Sequence, residues 1–343
     1  MNNLSQLKNT GKVRSARLAA SAVAVAFAAL LVAGPGTAAP ALEYPQLQPG
    51  LLQIRGTSAS DRIALRLQAG QSSVLQLDVG DDGSPDYAFQ RAAVTRILVN
   101  ARAGNDLVRI DESNGAFTDS IPTTIEGKAG NDTLLGGSGR ETFRGGWGRD
   151  LIDGNRGNDI AFMGLGNDTF VWDPGDGSDT IEGQSGYDTM LFNGANVPER
   201  FDLSANGYRL RFFRDAGNIT MDTDSVERVD LKALGGVDVV TVNDLRATDV
   251  RAVNVDLAAT GGSGDNSADR VVVNGTNGND RVRISGAASA VQVRGLAAAV
   301  NILRAEAASD RLEVNTLAGN DSVSSAALPP GLVQLFVDGL LVS

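Results

Sequence analysis

Gly145-Gly146-Trp147-Gly148-Arg149-Asp150-Leu151-Ile152-Asp153 is one of seven nine-residue units that follow one another between Gly127 and Leu191. The units begin at Gly127, Gly136, Gly145, Gly154, Met163, Pro174 and Gly183, and a two-residue insertion, Trp172-Asp173, separates the fifth from the sixth. Position four is glycine in every unit: Gly130, Gly139, Gly148, Gly157, Gly166, Gly177 and Gly186. Position six is always a carboxylate (Asp132, Glu141, Asp150, Asp159, Asp168, Asp179, Asp188), and position eight is always apolar (Leu134, Phe143, Ile152, Ala161, Phe170, Ile181, Met190). Internal repetition at a fixed period decides the architecture before any propensity argument does.

The glycines let a turn of about six residues pass through backbone conformations closed to other residues and leave its carbonyl oxygens uncovered. The last three positions read as a short strand, with Thr at position seven in five of the seven units and one apolar side chain pointing inward. Two units then make one coil of about 18 residues, and coils stacked roughly 4.8 Å apart bring their carboxylates into register. One edge carries Asp132, Asp150, Asp168 and Asp188; the other carries Glu141, Asp159 and Asp179. Like charges about 5 Å apart repel by about 1 kcal/mol in water and about 3 kcal/mol near a low-dielectric surface. A cation between coils removes that cost. Carboxylates and backbone carbonyls are hard oxygen ligands, suited to Ca²⁺ in a flexible shell of six to eight oxygens and poorly suited to Zn²⁺ or Cu²⁺.

The stretch resembles the hemolysin-type calcium-binding repeat, the RTX nonapeptide G-G-x-G-x-D-x-U-x, which the unit beginning at Gly145 matches at every specified position. The resemblance covers about 65 residues; Glu141 in place of Asp and the Trp172-Asp173 insertion depart from it. It implies an all-β, right-handed parallel β-solenoid (β-helix) with a central calcium-binding RTX β-roll. It also implies Ca²⁺ between neighbouring turns, held by the seven position-six carboxylates and by carbonyls of the glycine turns: Gly127, Gly130, Gly136, Gly139, Gly145, Gly148, Gly154, Gly157, Gly166, Gly177 and Gly186.

Working outward, residues 1–39 read as an export segment. Lys8, Lys12, Arg14 and Arg17 precede an apolar run from Leu18 to Gly34, and small residues near Ala39 offer cleavage sites. Nothing after it is long and apolar enough to span a bilayer, so the expected location is extracellular. Without that segment the chain has 26 Lys and Arg against 41 Asp and Glu, a net charge of −15, which speaks against a nucleic-acid surface. The absence of Cys removes disulfides and thiol chemistry, and the absence of His removes Ser-His-Asp catalysis and the usual zinc ligand.

The flanks, 40–126 and 195–343, read as wider solenoid coils around a roll at 127–194. Leu51-Ile54 and Arg62-Leu67 look like strands, and Asp78-Gly83 like an Asp-rich turn. Segments starting at Arg96, Arg228, Arg270 and Arg311 each precede a Gly-x-Asp turn by ten residues, at Asp106, Asp238, Asp280 and Asp321. Without a partner 18 residues away, Asp106, Asp280 and Asp321 are expected to be turn residues bonding their own backbone. Ala258-Ala268 and Ser285-Ala290 read as outer loops, Leu332-Val337 as a closing strand.

These features point to a secreted protein with structural Ca²⁺ and no catalytic role, meeting an extracellular glycan or protein. The alternatives are an adhesin or matrix component and a carbohydrate-active β-helix enzyme such as a polysaccharide lyase or epimerase. For the enzyme the residues in question are Tyr208, Arg209, Arg211 and Arg214, which otherwise read as a solvated edge strand.

Overall fold

The computed structural model describes residues 43–342; the export segment expected at 1–39 lies outside them. Among the described residues there are 29 strands, two short 3₁₀ turns and no α-helix. The strands form two sheets, of 15 and 14 strands, and the chain alternates between them as it coils. The protein is a parallel β-solenoid with a β-roll at its centre.

In the roll, the strands Thr123–Ala129, Glu141–Trp147, Ile160–Gly166 and Thr180–Gly186 stack in parallel on one face. Thr133–Leu135, Leu151–Asp153, Thr169–Trp172 and Thr189–Asn193 stack on the other. Thr124 lies opposite Thr142 and Thr142 opposite Ile160, the 18-residue coil read from the repeats. Ile160 then faces Thr180, so the two inserted residues widen one coil without breaking the ladder. All seven position-eight side chains are fully buried, while the position-seven threonines lie half-buried on the outer face. One expectation needs correcting. On the first face the strands are seven residues long and run on into the first positions of the next unit, because neighbouring coils hold even the glycines there in parallel register.

The flanks keep the two-sheet plan and explain their irregular coil lengths by antiparallel excursions. The strands Arg200–Asn206, Arg209–Arg214 and Ile219–Asp224 fold back on one another within a single coil, as do Arg281–Ala287, Ala290–Arg294 and Ala299–Leu303. Ser285–Ala290 is thus part of a hairpin, not a free loop; alternating Val282, Ile284, Val291 and Val293 bury one face of it. Arg209–Arg214 is likewise an interior strand with neighbours on both sides, not an edge. Asparagine side chains lock the C-terminal coils: Asn315 Nδ2 donates to Asn274 Oδ1 (2.9 Å), and Asn274 Nδ2 to Asn243 Oδ1 (2.8 Å). Such ladders satisfy both ends of each amide across successive turns.

Where the roll meets the C-terminal excursion, the narrow aliphatic core becomes aromatic. Trp172 stacks on Phe192 with ring centres 4.0 Å apart, and Phe201 and Phe212 close around Phe192. The indole Nε1 donates to Gly177 O at 2.8 Å, so the inserted residue both fills the widened coil and ties its turn. Trp172→Ala is expected to cost about 3–5 kcal/mol in a denaturant titration, the range for deleting a large buried aromatic. A loss below about 1 kcal/mol would mean the junction carries little of the fold's stability.

Candidate metal centre

The repeats place their acidic side chains where strands end and the chain turns from one sheet to the other. Asp132, Asp150, Asp168 and Asp188 lie one above another on the first edge, each at most 1% exposed. The peptide N–H of each donates to the carboxylate of the next: Asp132 to Asp150 Oδ1, Asp150 to Asp168 Oδ1 and Asp168 to Asp188 Oδ1, all at 2.8 Å. On the opposite edge Glu141 N–H donates to Asp159 Oδ1 (2.7 Å) and Asp159 N–H to Asp179 Oδ1 (2.8 Å). One oxygen of each aspartate is therefore spent on the neighbouring coil.

The other oxygen is not. Oδ2 of Asp132, Asp150, Asp159, Asp168, Asp179 and Asp188, and Oε1 of Glu141, are buried without any hydrogen-bond donor. A buried carboxylate oxygen left unpaired costs about 1–3 kcal/mol or more. Burial is the main cause that raises these acids above the ordinary carboxylate range, and neighbouring carboxylates add to it at most of them. Asp150 and Asp179 rise to about 7, Glu141 to about 7 and Asp159 to about 9. Asp168 and Asp188 rise to about 6, and Asp132 is raised too. Backbone N–H donors, from the preceding coil at the aspartates and from its own turn at Glu141, oppose the rise without cancelling it.

Beside these free oxygens lie carbonyls. A Cβ on Gly145 would run into both Asp150 Oδ2 and Met163 O, and one on Gly127 would meet Asp132 Oδ2 and Gly145 O. A buried, donor-free carboxylate oxygen beside a carbonyl oxygen needs a proton or a cation. Among the described residues no three acidic side chains converge into a cluster that could hold a metal by themselves, so an ion at these turns would also need carbonyl ligands. An all-oxygen set of carboxylates and carbonyls fits Ca²⁺.

Asp106 belongs to the same column, against expectation. Its N–H donates to Asp132 Oδ1 (2.8 Å), its own Oδ1 accepts from Asp61 N–H (2.7 Å), and its Oδ2 is buried and unpaired. Burial lifts its pKa to about 7. The stacking was hidden because the coil between them is 26 residues long, lengthened by the turn around Phe117. Ala103-Gly104-Asn105-Asp106 nevertheless repeats Ala129-Gly130-Asn131-Asp132 residue for residue, a signal that did not depend on spacing. Asp280 also has a stacked partner, its N–H donating to Asp321 Oδ1 at 2.7 Å across 41 residues. Its own Oδ2, however, accepts from Thr276 N–H (2.6 Å), so Asp280 is the backbone-bonded turn residue that was expected.

A backbone feature separates the two kinds of turn. Four residues before Asp106, Asp132, Asp150, Asp168 and Asp188 stand Arg102, Lys128, Gly146, Gly164 and Gln184, all in the left-handed region with φ of 81°, 84°, 117°, 118° and 72°. The same holds for Asn155 before Asp159 and Gly175 before Asp179. At Asp61, Glu141 and Asp280 the residue four back is not left-handed, and its N–H caps the carboxylate instead.

The acidic turn at Asp78 is settled internally: Asp78 accepts from Arg66 at 2.7 Å and from Gly83 N–H at 2.9 Å. The arginines near Tyr208 are also engaged. Arg209 bridges Glu182 and Asp222, Arg211 lies 3.5 Å from Asp202, and Arg214 is buried against Glu199.

The RTX calcium-binding nonapeptide repeat family model matches this chain over residues 123–152, 135–170 and 174–191. That stretch is a run of hemolysin-type calcium-binding repeats, and they form the β-roll at the centre of the solenoid. Comparison with curated proteins found no match. Among solved structures, the extracellular lipase LipA from Serratia marcescens is similar at 13% identity and a TM-score of 0.20, over 62% of this chain and 43% of the lipase. The chain thus spans less than half of that lipase, and nothing about activity follows from the likeness.

The raised carboxyls fix how the metal-free protein responds to pH. The folded form keeps these protons up to about pH 6–9, well above the pKa of the unfolded carboxyls. It therefore binds more protons than the unfolded chain over that window, and its stability falls as pH rises through it. In chelator, the melting temperature is expected to be higher near pH 5 than near pH 9. A chelated protein that melts higher at the alkaline end would show that the free oxygens are compensated in some other way.

Proposed function

We propose that this is a secreted, non-catalytic protein whose Ca²⁺ ions are structural, bound at the between-coil turns and completing a roll that folds after export. The observation that carries the reading is the recurrence of a buried, donor-free carboxylate oxygen at each successive coil, at Asp106, Asp132, Asp150, Asp168 and Asp188 on one edge and Asp159 and Asp179 on the other. Bound Ca²⁺ would supply the positive charge that these oxygens and the adjacent glycine-turn carbonyls lack. The export half of the proposal rests on residues 1–39. Extracellular Ca²⁺ modules bind with constants of about 10⁻⁴ to 10⁻³ M, so their sites stay empty in a cell and fill outside it. An empty roll remains threadable, and a filled one holds its fold after passage. In this reading the chain divides into flanking coils at 40–126 and 195–343 around the roll at 127–194. No helix among the described residues is long and apolar enough to cross a membrane.

One further surface supports an acidic extracellular glycan as the partner. Arg281, Arg283 and Arg294 line an open groove of about 610 Å³ on the C-terminal hairpin. Arg283 and Arg294 are direct cross-strand partners, an arrangement that costs energy for like charges. None of the three is paired with a carboxylate among the described residues, although the protein as a whole is strongly acidic.

Three measurements test the proposal. At free Ca²⁺ ten times the dissociation constant, each independent site should stabilise the fold by about 1.4 kcal/mol. Chelation should accordingly reduce the β signal in circular dichroism and lower the melting temperature; unchanged spectra and melting would sink the structural role. Asp150→Ala should lower the number of bound Ca²⁺ per chain by more than Asp106→Ala. Asp150 sits between two donor-free neighbours, whereas Asp61, beyond Asp106, is capped by Thr57. Equal losses would mean that the ions do not lie between coils. Arg283→Glu should weaken retention on an immobilised polyuronate and leave bound Ca²⁺ unchanged; retention equal to the parent's would remove the glycan assignment.

A further inference from the structure

Beyond the repeats, a second column of acids climbs the C-terminal coils on the edge that carries Asp159 and Asp179. Glu199 N–H donates to Asp238 Oδ1 (2.9 Å), Asp238 N–H to Asp269 Oδ1 (2.9 Å), and Asp269 N–H to Asp310 Oδ1 (3.1 Å). All four side chains are buried, at no more than 1% exposure.

The two ends of this column are satisfied by the chain itself. Glu199 takes the buried Arg214 guanidinium on one oxygen and Ala195 N–H (2.7 Å) on the other, and Asp310 Oδ2 accepts from Glu306 N–H (2.6 Å). The two middle members are not. Oδ2 of Asp238 and Oδ2 of Asp269 are buried without a donor, as in the repeats. The backbone before Asp238 also repeats that of the roll: Leu234 is left-handed (φ 69°) and Gly236 follows at φ 132°, against 84° for Lys128 and 132° for Gly130 before Asp132. A left-handed leucine is costly, and surroundings must hold it there. Before Asp269 the left-handed residue is Asn266, three positions back rather than four.

We infer that Asp238 and Asp269 form a divalent-cation site, selective for a hard ion such as Ca²⁺, in coils that the repeat does not reach. The identity of the ion rests on the calcium reading above. The remaining charges nearby do not supply a counter-ion. Asp265 and Glu306 are acidic and spent on Gly236 N–H (2.9 Å) and Asn266 N–H (2.7 Å), and Arg214 is committed to Glu199. Burial first, and then the neighbouring carboxylates, push Asp238 to about 8 and Asp269 to about 7, the pattern seen at Asp150. A cation at this place would pin the C-terminal coils to the same ion dependence as the roll.

The test uses the mature full-length chain, stripped with chelator and titrated with Ca²⁺. Asp238→Asn, which keeps the oxygen that accepts from Glu199 N–H, should bind one ion fewer per chain than the parent and retain the sites that Asp150→Asn removes. Asp150→Asn losing ions while Asp238→Asn loses none would overturn this site and leave the roll's calcium intact; a parent that binds no Ca²⁺ would overturn both readings. A second variant guards against misfolding of the first. Val237 is 52% exposed and adjoins Asp238, so Val237→Trp places an indole beside the site. Indole excitation should then sensitise Tb³⁺ emission beyond the parent's, and the gain should vanish when Asp269→Asn is added. No gain from Val237→Trp, or a gain that survives Asp269→Asn, removes the proposal.

Discussion

Each coil of the roll is fastened to the next by a carboxylate that uses only half of its capacity. Asp150 Oδ1 receives the peptide N–H of Asp132, and that bond repeats up the edge from Asp61 to Glu227. Position-five asparagines run the same ladder in the opposite sense, with Asn131 Oδ1 accepting from Arg149 N–H and Asn105 Oδ1 from Asn131 N–H. The backbone groups at the turns are thereby satisfied although the turns are buried in the stack, as buried peptide groups must be. Stacking brings a column of negative charge with it. The fold needs the acid for its hydrogen bond and must then neutralise what the acid leaves over.

Two solutions to that residue of charge coexist in one chain. A turn can bend so that the N–H four residues back reaches the second oxygen, as Thr57 does for Asp61 and Thr276 for Asp280, while Gly137 caps one oxygen of Glu141 and leaves Oε1 bare. Alternatively the residue four back adopts a left-handed conformation, and the oxygen stays bare. For a residue with a β-carbon that conformation costs about 1–2 kcal/mol, yet Arg102, Lys128 and Gln184 all accept it. A chain that incurs strain and then leaves an acceptor unpaired gains nothing unless something else occupies the turn. Capped turns close off the columns at Asp61, Glu199 and Asp310, and bare turns lie between such ends, so the division is spatial as well as chemical.

Much of this was legible in the residues. Seven fixed glycines, seven acids and seven apolar positions gave the coil, its two edges and its buried face, because a nine-residue period leaves few other ways to bury the eighth side chain of every unit. The flanks were harder, since a solenoid tolerates insertions between coils without changing the ladder. Asp106 and Asp132 are stacked across 26 residues and Glu199 and Asp238 across 39; spacing cannot reveal such pairs. Arg209 and Arg214 looked like solvated charges on an edge because their partners, Glu182, Asp222 and Glu199, come from other strands or turns. At every bare aspartate but Asp269 the residue four back is left-handed, and neither Leu234 nor Arg102 advertises that conformation by its type.

The arrangement also decides how a one-dimensional fold becomes one unit. In a solenoid each coil contacts only its neighbours, so stability is a sum of local terms and weak coils open separately. The roll is the weak segment by composition, because its strands on one face are only three to five residues long and every unit but the one beginning at Met163 contributes a single inward apolar side chain. The flanks have ordinary aliphatic cores, such as Leu52, Ile97 and Val99 on one side and Val253, Val271 and Val300 on the other. At the C-terminal boundary the aromatic group of Trp172, Phe192, Phe201 and Phe212 spans roll and flank, with the Arg214 guanidinium 5.1 Å from the indole centre. Arg214 is the same group that neutralises Glu199, the first acid of the C-terminal column. Core packing and charge compensation therefore meet in one side chain at the place where the repeats stop, which couples the ion-dependent segment to the conventionally packed one.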